Sequence, residues 1–364
     1  MVKAYVPFRF RYTPIVKTVL IKFKKDPDHT YNALELQVFE LNDERFYQVL
    51  AKRHDDYKDV YQDPKMQLDE GELELNIGGR GMGDVYPTTF TKGYFEEKDG
   101  HIRIGFTFND KDDRLIKFAV DENLEKDTTP LAWLPSIGAS LEKPQSVPLF
   151  FLYDFDFIRK AGTDVKLEID GLNHTVDPYA IAKDFQARIN IQYSLNSVVV
   201  NFNETRESTM PVVELDEHHV AEYNGKKYHY NVIDGRPQLA QIVLQKGSRP
   251  VNVTFDPPFP DFTEIKDHVP KFGEFIIQPA EELGTLIGRY NVTKQNNKAM
   301  INLSFTEGWQ PNQKELYYKL LRERTVRRLT NWYKEYQCNE VVDLDTLETK
   351  VEWKKVNPER TKGF

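Results

Sequence analysis

The chain has little cysteine: Cys338 is the only one in 364 residues, which excludes an internal disulfide and any site built from clustered thiolates. A reducing compartment fits, and cytoplasmic localisation is expected. No apolar run approaches the ~18 residues that cross a bilayer, so no membrane span is expected. The opening residues, MVKAYVPFRFRYTP, lack the basic start, apolar middle and small-residue cleavage site of a secretory leader. Positive charge is in deficit as well: 49 Lys and Arg against 57 Asp and Glu leave a formal charge of -8 and a pI near 5.6. Polyanions are repelled by such a surface, and no nucleic-acid partner is expected. Neither His-Glu-x-x-His nor Gly-x-Ser-x-Gly occurs, and no cofactor is assigned.

Helical periodicity is scarce too, and strict alternation takes its place. In HIRIGFTF, Ile102, Ile104, Phe106 and Phe108 share one face opposite His101, Arg103 and Thr107, the mark of a strand with one buried side. The same period runs through ELELNI, RINIQY and VNVTF. Asp99-Gly100, Asp170-Gly171, Asn224-Gly225 and Asp234-Gly235 sit between such runs, and these dipeptides tolerate positive φ in tight hairpins. With 23 Phe and 19 Tyr to fill sheet interiors, the chain reads as all-β and mainly antiparallel.

The length implies two domains. Pro130, Pro135, Pro144 and Pro148 crowd one stretch, so the expected organisation is an N-terminal β domain over 1–129, a proline-rich linker over 130–148 and a C-terminal β domain over 149–364. One helix is expected, over 312–337, where Leu316, Leu320, Leu329, Trp332 and Tyr336 recur at helical spacing behind Pro311. Its outer face is basic, with Arg322, Arg324, Arg327 and Arg328 interspersed with glutamates.

The stretch ELELNIGGRGMGDVYP, 72–87, places four glycines within six positions after a strand-like run. A phosphate cradle needs a helix after the last glycine. Val85, Tyr86 and Pro87 follow instead, so a tight turn or bulge is expected, with Arg80 and Asp84 as pocket-lining candidates. The run Gly79-Arg80-Gly81-Met82-Gly83-Asp84 resembles the start of a Gly-Arg-Gly-Tyr-His-Asp segment of the two-domain lipocalin-like family that includes carotenoid 1,2-hydratases. Gly83 replaces the histidine of that segment. The resemblance implies tandem β-barrels, each holding a ligand from one end, with Asp84 as acid or base and Arg80 steering charge.

Two further constellations stand out. In PLFFLYDFDFIRK, alternation aligns Phe151, Tyr153, Phe155 and Phe157 on one face, and Leu152, Asp154, Asp156 and Ile158 on the other. Two aspartates two residues apart lie about 7 Å from each other. In solvent they are solvating charges; facing a water-poor cavity they form an acid/base pair. Tyr153, Asp154 and Asp156 are therefore the ligand-contact candidates. In DEHHVAEYNGKKYHY a turn at Asn224-Gly225 pairs Val220 with His229 and brings Asp216, His218 and His229 to one side, but no fourth ligand can be named and no metal is assigned.

The expected protein is soluble, built of two lipocalin-like barrels or β-sandwich domains with a C-terminal helix. It binds an apolar or amphipathic small molecule, with hydratase- or isomerase-type acid-base chemistry available at Asp84. A structural or protein-interaction module, including a virion component, and a carbohydrate-binding or carbohydrate-active protein are the alternatives.

Overall fold

The computed structural model describes residues 2–66, 81–123, 131–134, 144–159, 163–179, 188–246, 249–312 and 332–356. Among them the fold is all-β, with two short 3-10 turns and no α-helix. Every strand pairing with a stated register is antiparallel except Tyr57–Gln62 with Gly81–Pro87, which is parallel. No described helix is long and apolar enough to cross a membrane.

Turn chemistry organises the meanders. At Asp99-Gly100, Asp170-Gly171, Asn224-Gly225 and Asp234-Gly235 both residues take positive φ, from 48° to 79°, and each turn joins directly paired strands. Two more such turns, Asn42-Asp43 and Asn296-Asn297, work without glycine. Asn and Asp tolerate the left-handed region because their short polar side chains bond to nearby backbone.

The chain forms two compact units, each assembled from separate segments: Met1–Tyr12, Leu134–Leu149 and Val200–Phe364 in unit 1, Thr13–Trp133 and Phe150–Val199 in unit 2. The proline-rich stretch supplies the short edge strand Leu131–Trp133, the position a sheet leaves to proline-flanked chain.

Unit 2 holds most of a nine-stranded sheet. Its spatial order is Leu131–Trp133, Val147–Arg159, Arg188–Phe202, Ile15–Lys22, Tyr31–Leu41, Glu44–Arg53, Tyr57–Gln62 and Gly81–Pro87, with Phe10–Thr13 pairing aside. A five-stranded sheet, Leu172–Asn173, Asp164–Ile169, Leu115–Asn123, His101–Asn109 and Lys92–Lys98, faces it. One apolar core joins them: Val19, Leu34, Leu36 and Val49 from the first, Ile104, Phe106, Phe118 and Leu167 from the second. The sequence-predicted face Ile102, Ile104, Phe106 and Phe108 is fully withdrawn from water.

Unit 1 holds a ten-stranded sheet running from Arg206–Thr209 through Glu348–Lys355, Tyr336–Asp343, Lys298–Phe305, Leu286–Gln295, Lys271–Gln278, Arg249–Phe259, Arg236–Lys246 and Lys226–Ile233 to Val220–Tyr223. The N-terminal residues fill its interior. Phe8 is wholly buried and packs 5.4 Å from Phe255 and 4.8 Å from Phe259, while Phe10 stacks 4.8 Å from Phe202. Tyr228 donates to the Phe8 carbonyl (3.1 Å) and Tyr230 to that of Tyr5 (2.7 Å).

Two expectations are corrected here. No sheet closes into a barrel among the described residues: the ten-stranded sheet ends on Arg206–Thr209 and Val220–Tyr223, the nine-stranded one on Leu131–Trp133 and Gly81–Pro87. Unit 1 covers its apolar concavity with its own chain, and unit 2 covers one face of its large sheet with a second sheet. The expected helix 312–337 falls largely on 313–331, outside the described residues. Its last residues are not helical: Trp332–Glu335 is a single 3-10 turn and Tyr336–Asp343 is a strand. There Tyr336, Cys338, Glu340 and Val342 point inward at period two.

A buried polar knot ties the N-terminal segment down. Asn203, at φ 48°, accepts from Arg206 Nη1 (2.9 Å) and the Arg9 amide (3.3 Å), and donates to Glu340 Oε2 (3.2 Å). Trp353 Nε1 donates to its carbonyl (2.8 Å). Burial pushes the Glu340 carboxyl up to about 7 against the pull of Arg206, and holds the buried Cys338 thiol far above its ordinary range. That thiol is therefore no nucleophile. Asn203→Ala removes this hub and puts alanine in a left-handed position; urea unfolding of unit 1 is expected to show a loss of about 3 kcal/mol, and a loss under about 0.5 kcal/mol would contradict the knot's role.

Candidate functional site

Both faces of the nine-stranded sheet carry buried side chains. One is the apolar face of the unit 2 core. The other carries, across paired strands, the rows Ser194, Thr18, Gln37, Gln48, Gln62, then Gln192, Leu20, Glu35, Leu50, Val60, then Lys22, Ala33, Lys52, Lys58. Side chains of this kind normally lie in water on an antiparallel sheet. Here Glu35, Gln37, Gln48 and Lys58 are each no more than 3% exposed.

Within this face Glu35 Oε1 accepts from Gln37 Nε2 (2.7 Å) and Thr18 Oγ1 (3.4 Å). Lys52 pairs with Asp56 (2.7 Å), and Gln48 donates to Gln62 (3.3 Å). On this face the Lys58 ammonium and the Gln37 carbonyl oxygen are buried with no hydrogen-bond partner among the described residues. Such atoms cost about 1–3 kcal/mol each when left unsatisfied.

Burial sets the proton affinities. Desolvation pushes the Glu35 carboxyl up to about 7, against hydrogen bonds from Gln37 and Thr18 and the attraction of Lys58. Desolvation brings the Lys58 ammonium down to about 7, with Lys52 adding repulsion and Glu35 opposing. Lys22 falls to about 8 for the same reason, with Lys24 and Lys52 adding to it. The face thus presents a carboxyl and an amine that both change charge near neutral pH, the property acid-base chemistry requires.

The sequence-predicted residues are distributed differently. Asp84 is exposed on Gly81–Pro87 and accepts from the Tyr86 hydroxyl (3.2 Å), and Arg80 lies outside the described residues. The expected bulge is present: pairing slips so that Gly83 and Asp84 stand against Asp59 alone. Positive φ is not its basis. A Cβ on Gly83 would sit 3.2 Å from the Lys58 carbonyl oxygen and 3.4 Å from Asp59 Oδ1, so glycine allows close approach of the strands.

The aromatic strand is buried on both sides, and alternation breaks at Asp154, whose φ is 51°. One extra residue separates Leu152 and Phe155, which pair with Trp133 and Leu131. The two aspartates therefore take different partners. Asp154, half-buried, accepts from Asn196 Nδ2 (3.4 Å), while the buried Asp156 accepts from the Phe157 amide (2.8 Å) and Arg188 Nη1 (3.0 Å). Tyr153 is buried, and its carbonyl accepts from Ser194 Oγ (2.6 Å). The carboxylate that Asp156 perturbs is Glu122, pushed up to about 7 by burial and, less, by Asp156, while its Oε1 accepts from the Arg159 amide (2.6 Å).

The hairpin register Val220 to His229 is as expected. Asp216, however, serves as a turn acceptor, its Oδ1 taking the amides of His218 (2.9 Å) and Val220 (2.8 Å). Among the described residues no group of three His, Cys, Asp or Glu could hold a metal. No protein-family model, curated protein or solved structure matches this chain.

Glu35, Gln37 and Lys58 were missed because alternation alone assigns them to solvent; the one available signal is three strands with unusually amide- and lysine-rich outer positions. Their charges predict the pH dependence of stability. The folded state keeps the Glu35 proton where the unfolded chain has released it, so stability falls as pH rises from about 4.5 toward 7. The folded state releases the Lys58 proton early, so stability falls as pH drops from about 10.5 toward 7. Urea unfolding across pH 4–11 is expected to show Glu35→Gln flattening the acid limb and Lys58→Met the alkaline limb; wild-type slopes in both variants would refute the assignment.

Proposed function

We propose that unit 2 holds an amphipathic small molecule against the polar buried face of its nine-stranded sheet. The observation that carries this reading is the pair of buried, unpartnered atoms there, an ammonium donor on Lys58 and a carbonyl acceptor on Gln37. Register places the two residues two strands and four positions apart, so a ligand satisfying both carries an acceptor for the ammonium, as a carboxylate does, and a separate donor further along its length. Leu20, Leu50 and Val60 on the same face receive its apolar part. Interiors that mix a few placed polar groups with apolar walls are the usual form of small-molecule sites.

Acid-base chemistry on such a ligand attaches to Glu35 and Lys58, which lie on the same face and titrate near neutral pH. Proton addition or removal next to a carbonyl, as in water addition or isomerisation, is the reaction class this pair supports. The lipocalin-like resemblance of residues 79–84 points to the same class through Asp84, which is exposed.

Binding is tested by titrating the protein with dansyl-undecanoic acid and reading its emission. Micromolar binding is expected in the wild type, at least tenfold weaker in Lys58→Met. The same variant is expected to be more stable by about 1–4 kcal/mol, since an apolar isostere replaces an unpaired buried charge. Equal probe affinity in both proteins would reject the site.

A further inference from the structure

A second surface, in unit 1, has no role in the reading above. Four adjacent strands, Lys271–Gln278, Leu286–Gln295, Lys298–Phe305 and Tyr336–Asp343, present their outer face as a groove of about 860 Å³. Cross-strand register sets two rows over it: Phe272, Asn291, Asn302, Asn339 and Glu274, Arg289, Ser304, Gln337. The rows cross three strand spacings, about 14 Å, and the volume lies within the range of ligand sites.

The composition of this face is unusual for a chain that is 29% charged. Its polar groups are mostly neutral amides. Its charges are a matched pair, Arg289 with Glu274 at 3.4 Å. Asn291, Asn302, Ser304 and Gln337 make no side-chain hydrogen bond among the described residues, so their donors and acceptors are open to a ligand. Phe272 stands at the head of the first row with 73% of its surface in water, although burying such a ring is worth about 1.5–3 kcal/mol.

Amides, a guanidinium and a carboxylate on a stiff sheet can each donate to and accept from vicinal hydroxyls, and a flat exposed ring stacks on the C–H face of a pyranose. Among the described residues that line the groove, a polyanion finds one cation, Arg289, and an apolar partner finds one exposed ring, Phe272. We infer that this groove binds a neutral oligosaccharide, with Phe272 as the stacking platform and Asn291, Asn302 and Gln337 reading its hydroxyls. The aromatic strand Val147–Arg159 cannot serve in its place because Phe151, Phe155 and Phe157 are buried.

The test is isothermal titration of the full chain with cellohexaose, chitohexaose and maltohexaose. At least one is expected to bind with a dissociation constant below about 1 mM, tenfold weaker in Phe272→Ala and at least threefold weaker in Asn302→Ala. Thermal melting of Phe272→Ala should match the wild type, because the ring is exposed. Absence of binding by all three sugars, or undiminished binding in Phe272→Ala, would overturn the inference. So would a self-associated state that Phe272→Ala dissolves without any sugar bound. Lys58→Met, in unit 2, leaves this binding unchanged, so the two sites succeed or fail separately.

Discussion

A pleated strand sends successive side chains to opposite faces, and in the nine-stranded sheet both faces carry buried side chains. That constraint shapes unit 2. The apolar face packs on the five-stranded sheet and contributes the burial that stabilises the unit, at roughly 25 cal/mol per Å² of apolar surface. The opposite face removes a carboxyl, amides and lysines from water with incomplete pairing, which opposes folding. The first face offsets the second, so a polar and electrostatically tuned surface persists inside the protein.

The two units use similar strands for different ends. In unit 1 the N-terminal residues occupy the concavity, with Phe8 and Phe10 packed among aromatic rings and the backbone of residues 5–9 held by Tyr228, Tyr230, Arg206 and Asn203. Its Glu340 and Cys338 are buried in the polar knot around Asn203. In both units the charged interior is only partly satisfied. Raised carboxyl affinity occurs in both units, and so do buried atoms without a hydrogen-bond partner: Glu340 Oε1 and Arg206 Nε in unit 1, Lys58 Nζ and Gln37 Oε1 in unit 2.

Much of the fold was legible locally. The Asx-Gly turns were placed to the residue because positive φ is a property of two adjacent residues. Asn42-Asp43 and Asn296-Asn297 escaped notice because they reach the same conformation without glycine. The site was less legible. A single residue, Asp154, takes a left-handed conformation, and that one-residue slip separates a carboxylate pair which strict alternation had aligned. The histidine hairpin kept its register but lost its acidic member to turn capping, an alternative open to any Asp near a turn.

The sequence by itself determined which side chains share a face, since the two-residue period and the turn residues act over a few positions. Alternation in ALELQV separates Leu34, Leu36 and Val38 from Glu35 and Gln37 with no knowledge of the rest of the chain. Only the tertiary structure decided that the second set is also shielded from water, and that Lys58, two strands away, lies near enough to Glu35 for each to shift the other. Solvent access and electrostatic coupling depend on what packs over a surface and on its dielectric, and neither is encoded in the spacing of residues along one strand.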